Sequence, residues 1–150
     1  MQTFLGIGNV HEGLAGLSHS FAEAEADMLE MMAEKDNSRQ KKIADTIRDY
    51  IKEHHQDDIY QESIADALGV SASYASKAFR QKAGVSIKDY LDAFRMEKAR
   101  ELIAETEERI EDISEQVGIR NRSTFLRLFR KYASMSPSEY REKSAQSRRG

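Results

Sequence analysis

The chain has 150 residues, 33% of them charged and 39% hydrophobic, and a net charge of −3. It has no cysteine, which excludes disulfides and cysteine-ligated zinc. Its one proline is Pro137 and it has only 8 glycines, so long uninterrupted helices are open to it. No apolar run approaches the roughly 20 residues of a membrane span, and the N-terminus lacks the basic, apolar, small-residue order of a signal peptide.

Residues 1–38 are acidic: seven carboxylates stand against Lys35, a net of −6 that leaves +3 on the remainder. Phe4-Leu5-Gly6-Ile7-Gly8 reads as the end of a strand. Ser18 to about Ala33 reads as a helix, with Phe21, Ala24, Met28 and Met32 at helical spacing. Such a strand-helix segment cannot bury both apolar faces alone, so it either docks on the domain C-terminal to it or ends a domain that lies upstream. Asp36-Asn37-Ser38 reads as linker and N-cap.

From Arg39 the signal is helical throughout, and the fold class expected is all-α with about seven helices. Ile43, Ile47, Tyr50 and Ile51 form one face of a first helix. Ile64, Ala65 and Leu68 mark a short second one closed by Gly69. Ser71 caps a third, which carries Tyr74, Ala75, Ala78 and Phe79 and ends near Gly84. Ser86-Ile87-Lys88-Asp89 resembles a capping box and opens a fourth helix, to about Ala104. Ile110, Ile113 and Val117 make a fifth, stopped at Gly118. Phe125, Leu128, Phe129 and Tyr132 make a sixth. Ser136-Pro137-Ser138-Glu139 is a second capping box and opens the last helix through Tyr140. Ser144 to Gly150 reads as a disordered tail.

The helices repeat. Ile64, Leu68 and Gly69 match Ile113, Val117 and Gly118 at an offset of 49, and Phe79, Ser86 and Tyr90 match Phe129, Ser136 and Tyr140 at an offset of 50. The one-residue difference falls between Gly69 and Phe79. The repeated unit is a short helix, a glycine turn, a second helix, an N-cap and a third helix. A tight glycine turn between two short helices favours helix-turn-helix over a purely structural hairpin.

In such a unit the second helix enters the DNA major groove. On the sixth helix, with Phe125, Leu128, Phe129 and Tyr132 inward, the outer face is Arg122, Ser123, Leu126, Arg127, Arg130 and Lys131. Bases gathered on one face repel in water and become favourable against phosphates. Ser114 to Gly150 holds nine bases and three acids, a net of +6; the competing reading of that excess is an ordinary solvated face. Leu126 is either a contact for a thymine methyl or an overhanging core residue. On the third helix the outward residues are Ser73, Ser76, Lys77 and Arg80, a weaker set. The fourth helix, about 27 Å from Ile87 to Ala104 at 1.5 Å per residue, plus the turns could hold two readers at the roughly 34 Å between successive major grooves.

Two rival classes compete with this reading. His11, His19, His54 and His55 lack metal-helix spacing, Gly6-Ile7-Gly8 lacks the rest of a phosphate loop, and no nucleophile-base pair is present, so neither an enzyme nor a cofactor or metal is expected. A helical protein-interaction module without DNA binding is the alternative function.

The stretches SIADALGVSASYASKAFRQKAGVSIKDYLDAFRMEKARELI and IEDISEQVGIRNRSTFLRLFRKYASMSPSEYRE resemble the C-terminal DNA-binding domain of AraC/XylS-type transcription regulators. The resemblance covers about Ile43 to Lys143. It implies a first helix-turn-helix subdomain (39–86), a linker helix (87–104) and a second subdomain (105–143). Between an appendage (1–38) and a tail (144–150), they would make a cytoplasmic, sequence-specific binder of double-stranded DNA. By position, Ser73, Ser76 and Lys77 would face bases in the first unit, and Arg122, Ser123, Leu126 and Arg127 in the second. RNA polymerase would be a second partner, as for an activator; no small-molecule effector is expected on these residues. Four positions depart from the family pattern: Ser114 (usually alanine), Ile119 (an aromatic), Thr124 (tyrosine) and Ser134 (glycine). Gly6-Ile7-Gly8 and Gly16 to Ala24 resemble the last strand and helix of the regulatory domain in some large bacterial members.

Overall fold

The structure, a computed structural model, describes the backbone from Val10 and the side chains from Ala22 to Gly150. Among the described residues there are seven helices: α1 (Val10–His54), α2 (Gln61–Leu68), α3 (Ala72–Ala83), α4 (Ile87–Glu105), α5 (Ile110–Gln116), α6 (Arg122–Ala133) and α7 (Pro137–Arg149). The all-α expectation holds for them. The expected strand at residues 4–8 lies outside the described residues. The chain divides into two compact parts, residues 1–40 and 41–150.

Two expectations of local structure are corrected. Asp36-Asn37-Ser38 is not a cap but helix interior, because α1 runs unbroken from Val10 to His54. The Asp36 carboxylate that could have capped a new helix instead accepts from Gln40 Nε2 at 2.8 Å, one turn on. The tail is not disordered either: α7 continues to Arg149. Ser144 and Ser147 face Ala104 and Glu105 across a shallow cleft. Arg148 and Arg149 sit at the negative end of the α7 dipole.

Residues 41–150 have two cores that share one helix. Ile43, Ala44, Ile47 and Ile51 of α1 pack with Ile64 and Ala65 of α2, Ala75, Ala78 and Phe79 of α3, and Ile87 and Leu91 of α4. Met96, Ala99 and Ile103, further along α4, pack with Ile113, Val117, Ile119, Phe125, Leu128 and Phe129. α4 thus carries one core on its first half and the other on its second, and nineteen residues give it a length of about 28 Å.

The repeat is visible atom by atom. Val70 N–H donates to Ala65 C=O at 3.1 Å, and Ile119 N–H donates to Ser114 C=O at 2.9 Å. The Phe79 and Tyr90 rings meet edge to face at 5.4 Å, and Phe129 and Tyr140 meet the same way at 5.6 Å. Ser71, Ser86 and Ser136 cap α3, α4 and α7 as expected, each hydroxyl accepting the N–H three residues on. Asn121 caps α6, with Oδ1 2.9 Å from Thr124 N. Gly69 stands two residues before its cap and Gly118 three before its own, so the extra residue of the second unit lies in the turn at Arg120.

Two departures from the repeat have physical accounts. Ser114 occupies the buried slot that Ala65 fills in the first unit, and its hydroxyl donates to the Ile119 carbonyl, so the added polar group is satisfied. Ser134 holds the left-handed position (φ 63°) that Gly84 holds at φ 78° after α3. A side chain there costs roughly 1 kcal/mol. Ser134→Gly should therefore stabilise the protein by about 0.5–1 kcal/mol. Thermal unfolding should show a rise of a few degrees, and no rise would mean that the serine finds compensation in the turn.

Candidate nucleic-acid interface

α3 and α6 are amphipathic for the same reason. Each buries three side chains at helical spacing, Ala75, Ala78 and Phe79 in one and Phe125, Leu128 and Phe129 in the other. The remaining positions point outward. Ser73, Lys77 and Arg80 are exposed, as are Arg122, Ser123, Arg127, Arg130 and Lys131; Ser76 and Leu126 are half-buried. All ten positions singled out from the sequence thus lie off the buried stripes.

The offset of 50 pairs the two faces slot by slot: Ser73 with Ser123, Ser76 with Leu126, Lys77 with Arg127 and Arg80 with Arg130. Two further slots carry a base only in α6, where Arg122 and Lys131 replace Ala72 and Gln81. The inequality of the two faces comes from these substitutions on a common frame. Leu126 packs on the second core and also lines a cleft with Arg127, Arg130 and Lys131.

Charge pairing separates the arginines. Arg122 Nη1 lies 2.7 Å from Glu111 Oε1 of α5. The guanidiniums of Arg127 and Arg130 have no hydrogen bond or ion pair among the described residues. They are ready for an external anion, whereas Arg122 must first leave Glu111. Sequence reasoning missed Glu111, because the pair joins two helices eleven residues apart. It also missed Arg120, an exposed base in the turn that lines a small cleft with Arg122 and Leu126.

A half-buried junction between the two helix-turn-helix units was missed as well. Arg95, midway along α4, donates from Nε to His55 C=O and from Nη2 to Asp57 C=O, both at 2.8 Å. Burial pushes the Arg95 guanidinium down from its ordinary value, opposed by Asp92 and Asp58; it remains a cation at neutral pH. The turn of the second unit closes over it. Gly118 has φ 92°, and a Cβ there would lie 2.5 Å from the His55 carbonyl oxygen and 3.0 Å from Arg95 Nη2. Two further bonds tie the second unit to α4: Tyr132 Oη donates to Asp89 C=O at 3.4 Å, and Arg141 Nε donates to Ile103 C=O at 3.1 Å. Burial, with Asp92 and Asp89, raises the Tyr132 phenol, which keeps its proton for that bond.

Two helix-turn-helix units seated on one connecting helix, each with an outward polar or basic second helix, define a tandem helix-turn-helix module. Known proteins with the same pattern agree. Residues 64–143, just over half of the chain, match the helix-turn-helix domain family. The C-terminal domain of AraT, a response regulator from Geobacillus stearothermophilus, is 38% identical, with 67% of this chain and 84% of that one covered and a TM-score of 0.66. The HTH-type transcriptional regulator YijO of Escherichia coli K12 is 34% identical over 104 residues, 69% of this chain but 37% of its own length. The DNA-binding domain of AdpA, a global transcriptional factor solved in complex with a target DNA, shares the fold at 20% identity, with 70% and 95% coverage and a TM-score of 0.67. The chain belongs to the AraC-type helix-turn-helix family of transcription regulators.

The two turn glycines should respond differently to alanine. Gly69 (φ 68°) has nothing within 4 Å of an added Cβ, so Gly69→Ala should cost only the backbone strain of about 1 kcal/mol. Gly118→Ala adds a steric conflict with backbone and should cost at least about 2–3 kcal/mol. Denaturant unfolding of the two variants measures the gap; equal losses would show that the Arg95 junction yields easily.

Proposed function

We propose that this chain binds double-stranded DNA sequence-specifically, with α3 and α6 entering adjacent major grooves, as the DNA-reading part of a transcription regulator. The observation that carries the reading is the outer face of α6. Arg127 and Arg130 project there without a partner among the described residues, and Arg122 and Lys131 flank them. Arginine suits guanine edges bidentately, and the remaining bases suit phosphates. Ser73, Ser76, Lys77 and Arg80 of α3 form the weaker reader, and Leu126 meets a thymine methyl.

The reading is of a binding protein rather than an enzyme, acting in the cytoplasm and, as an activator, meeting RNA polymerase as a second partner. No effector is assigned to these residues. Among the described residues no helix is long and apolar enough to cross a membrane.

Titration of duplex DNA at several salt concentrations tests the proposal. Affinity should fall steeply with salt as counterions are released; a flat response, or no binding at low salt, removes the DNA reading. Arg127→Ala should cost about 1–3 kcal/mol at the preferred site, and unchanged binding would show the face to be misassigned. Glu111→Gln frees Arg122 and removes a carboxylate from the interface, so it should tighten binding by about two- to fivefold. Weaker binding would mean that Glu111 holds Arg122 in its productive pose.

A further inference from the structure

The first stretch of α1 exposes a stripe of large apolar side chains. Met28, Leu29, Met31 and Met32 are 62–69% exposed. All but Leu29 line an open groove together with Ala24, Asp27, Glu34 and Lys35. A cluster of this kind on one helix marks an interaction surface.

The sequence says what fits it. Val10, Leu14, Leu17, Phe21, Ala24, Met28 and Met31 succeed one another at alternating spacings of four and three. Seven successive apolar residues in the a and d positions of a heptad are the pattern of a helix that pairs with another helix. The next seam positions, Lys35 and Ser38, are polar, so the seam closes before the compact part that begins at Lys41.

We propose that residues 10–35 pair with the same helix of a second copy as a parallel, two-stranded coiled coil. The flanking charges choose the partner and its direction. In a parallel pair each g residue faces the e residue five positions later on the other strand. That sets Ser20 opposite Glu25, Asp27 opposite Met32 and Glu34 opposite Arg39, with no like-charge pair and one complementary pair. In the fully overlapped antiparallel pair g faces g, which sets Gly13 opposite Glu34 and Ser20 opposite Asp27 and leaves no complementary pair. The net charge of −6 over residues 1–38 makes two copies repel at longer range, so salt should tighten the pairing by screening. That sign is opposite to the salt response of DNA binding. The pairing does not depend on the DNA-binding proposal; if both hold, one particle carries four recognition helices.

Sedimentation equilibrium of the 150-residue chain over a concentration series, at low and high salt, tests it. A monomer-dimer equilibrium that tightens with salt is expected. Combining Met28→Glu with Met31→Glu, both at exposed positions, should weaken it by about a hundredfold or more. A chain that stays monomeric at every concentration, or associates equally well with both substitutions, overturns the proposal. The absence of cysteine makes direction testable. On mild oxidation Met31→Cys at the seam should give a disulfide-linked dimer and Ala26→Cys at the outer f position should not. A dimer in which Met31→Cys fails to cross-link overturns the parallel arrangement.

Discussion

The guanidinium of Arg95 joins the two subdomains of residues 41–150. It sits in the middle of α4, between the two cores, and makes two charge-assisted hydrogen bonds to carbonyls of the loop that joins α1 to α2 in the first subdomain. Such bonds are roughly twice as strong as neutral ones. The turn of the second subdomain packs on the same group, close enough at Gly118 that no side chain fits. First subdomain, connecting helix and second turn therefore converge on one half-buried cation. A helix of about 28 Å alone would fix a distance; this contact also restrains rotation about the α4 axis, which decides where α3 and α6 point.

On that frame the repeat was free to diverge. The inner faces keep their chemistry, down to the edge-to-face pairs Phe79–Tyr90 and Phe129–Tyr140. Ser114 in place of an alanine-type residue is tolerated because its hydroxyl reaches a carbonyl of the turn. The outer faces differ in charge, since α6 has arginine and lysine where α3 has alanine and glutamine. A basic face supplies affinity wherever phosphate is found, while serines approach bases closely and discriminate weakly. The two readers are therefore proposed to have unequal roles rather than duplicate ones.

Most of the helical frame was legible in the sequence because amphipathic period, serine caps and turn glycines are local signals. Ser71, Ser86, Ser136, Gly69 and Gly118 each announce a boundary within a few residues. The outward positions of α3 and α6 came from the same period. The features that were not legible depend on neighbours distant in the chain. Asp36-Asn37-Ser38 fits a cap or a helix interior equally well, and the choice is made by Gln40 and by the helix-forming residues on either side. Residues 144–149 look like a tail until Ala104 is placed beside Ser144. The pair Glu111–Arg122 and the bonds of Arg95 to residues 38 and 40 positions away have no periodic signature. Leu126 is ambiguous for a physical reason: its slot, like that of Ser76, is half-buried.

The central claim is that one protein chain presents two readers at a spacing set by α4 and its junction. Selection of binding sites from a pool of random-sequence duplex DNA with this chain tests it most directly. The expected outcome is two short motifs separated by a constant distance of about one helical turn, 10–10.5 base pairs from centre to centre, with the stronger information in the half read by α6. A single isolated motif, or two motifs whose separation varies freely, would contradict it.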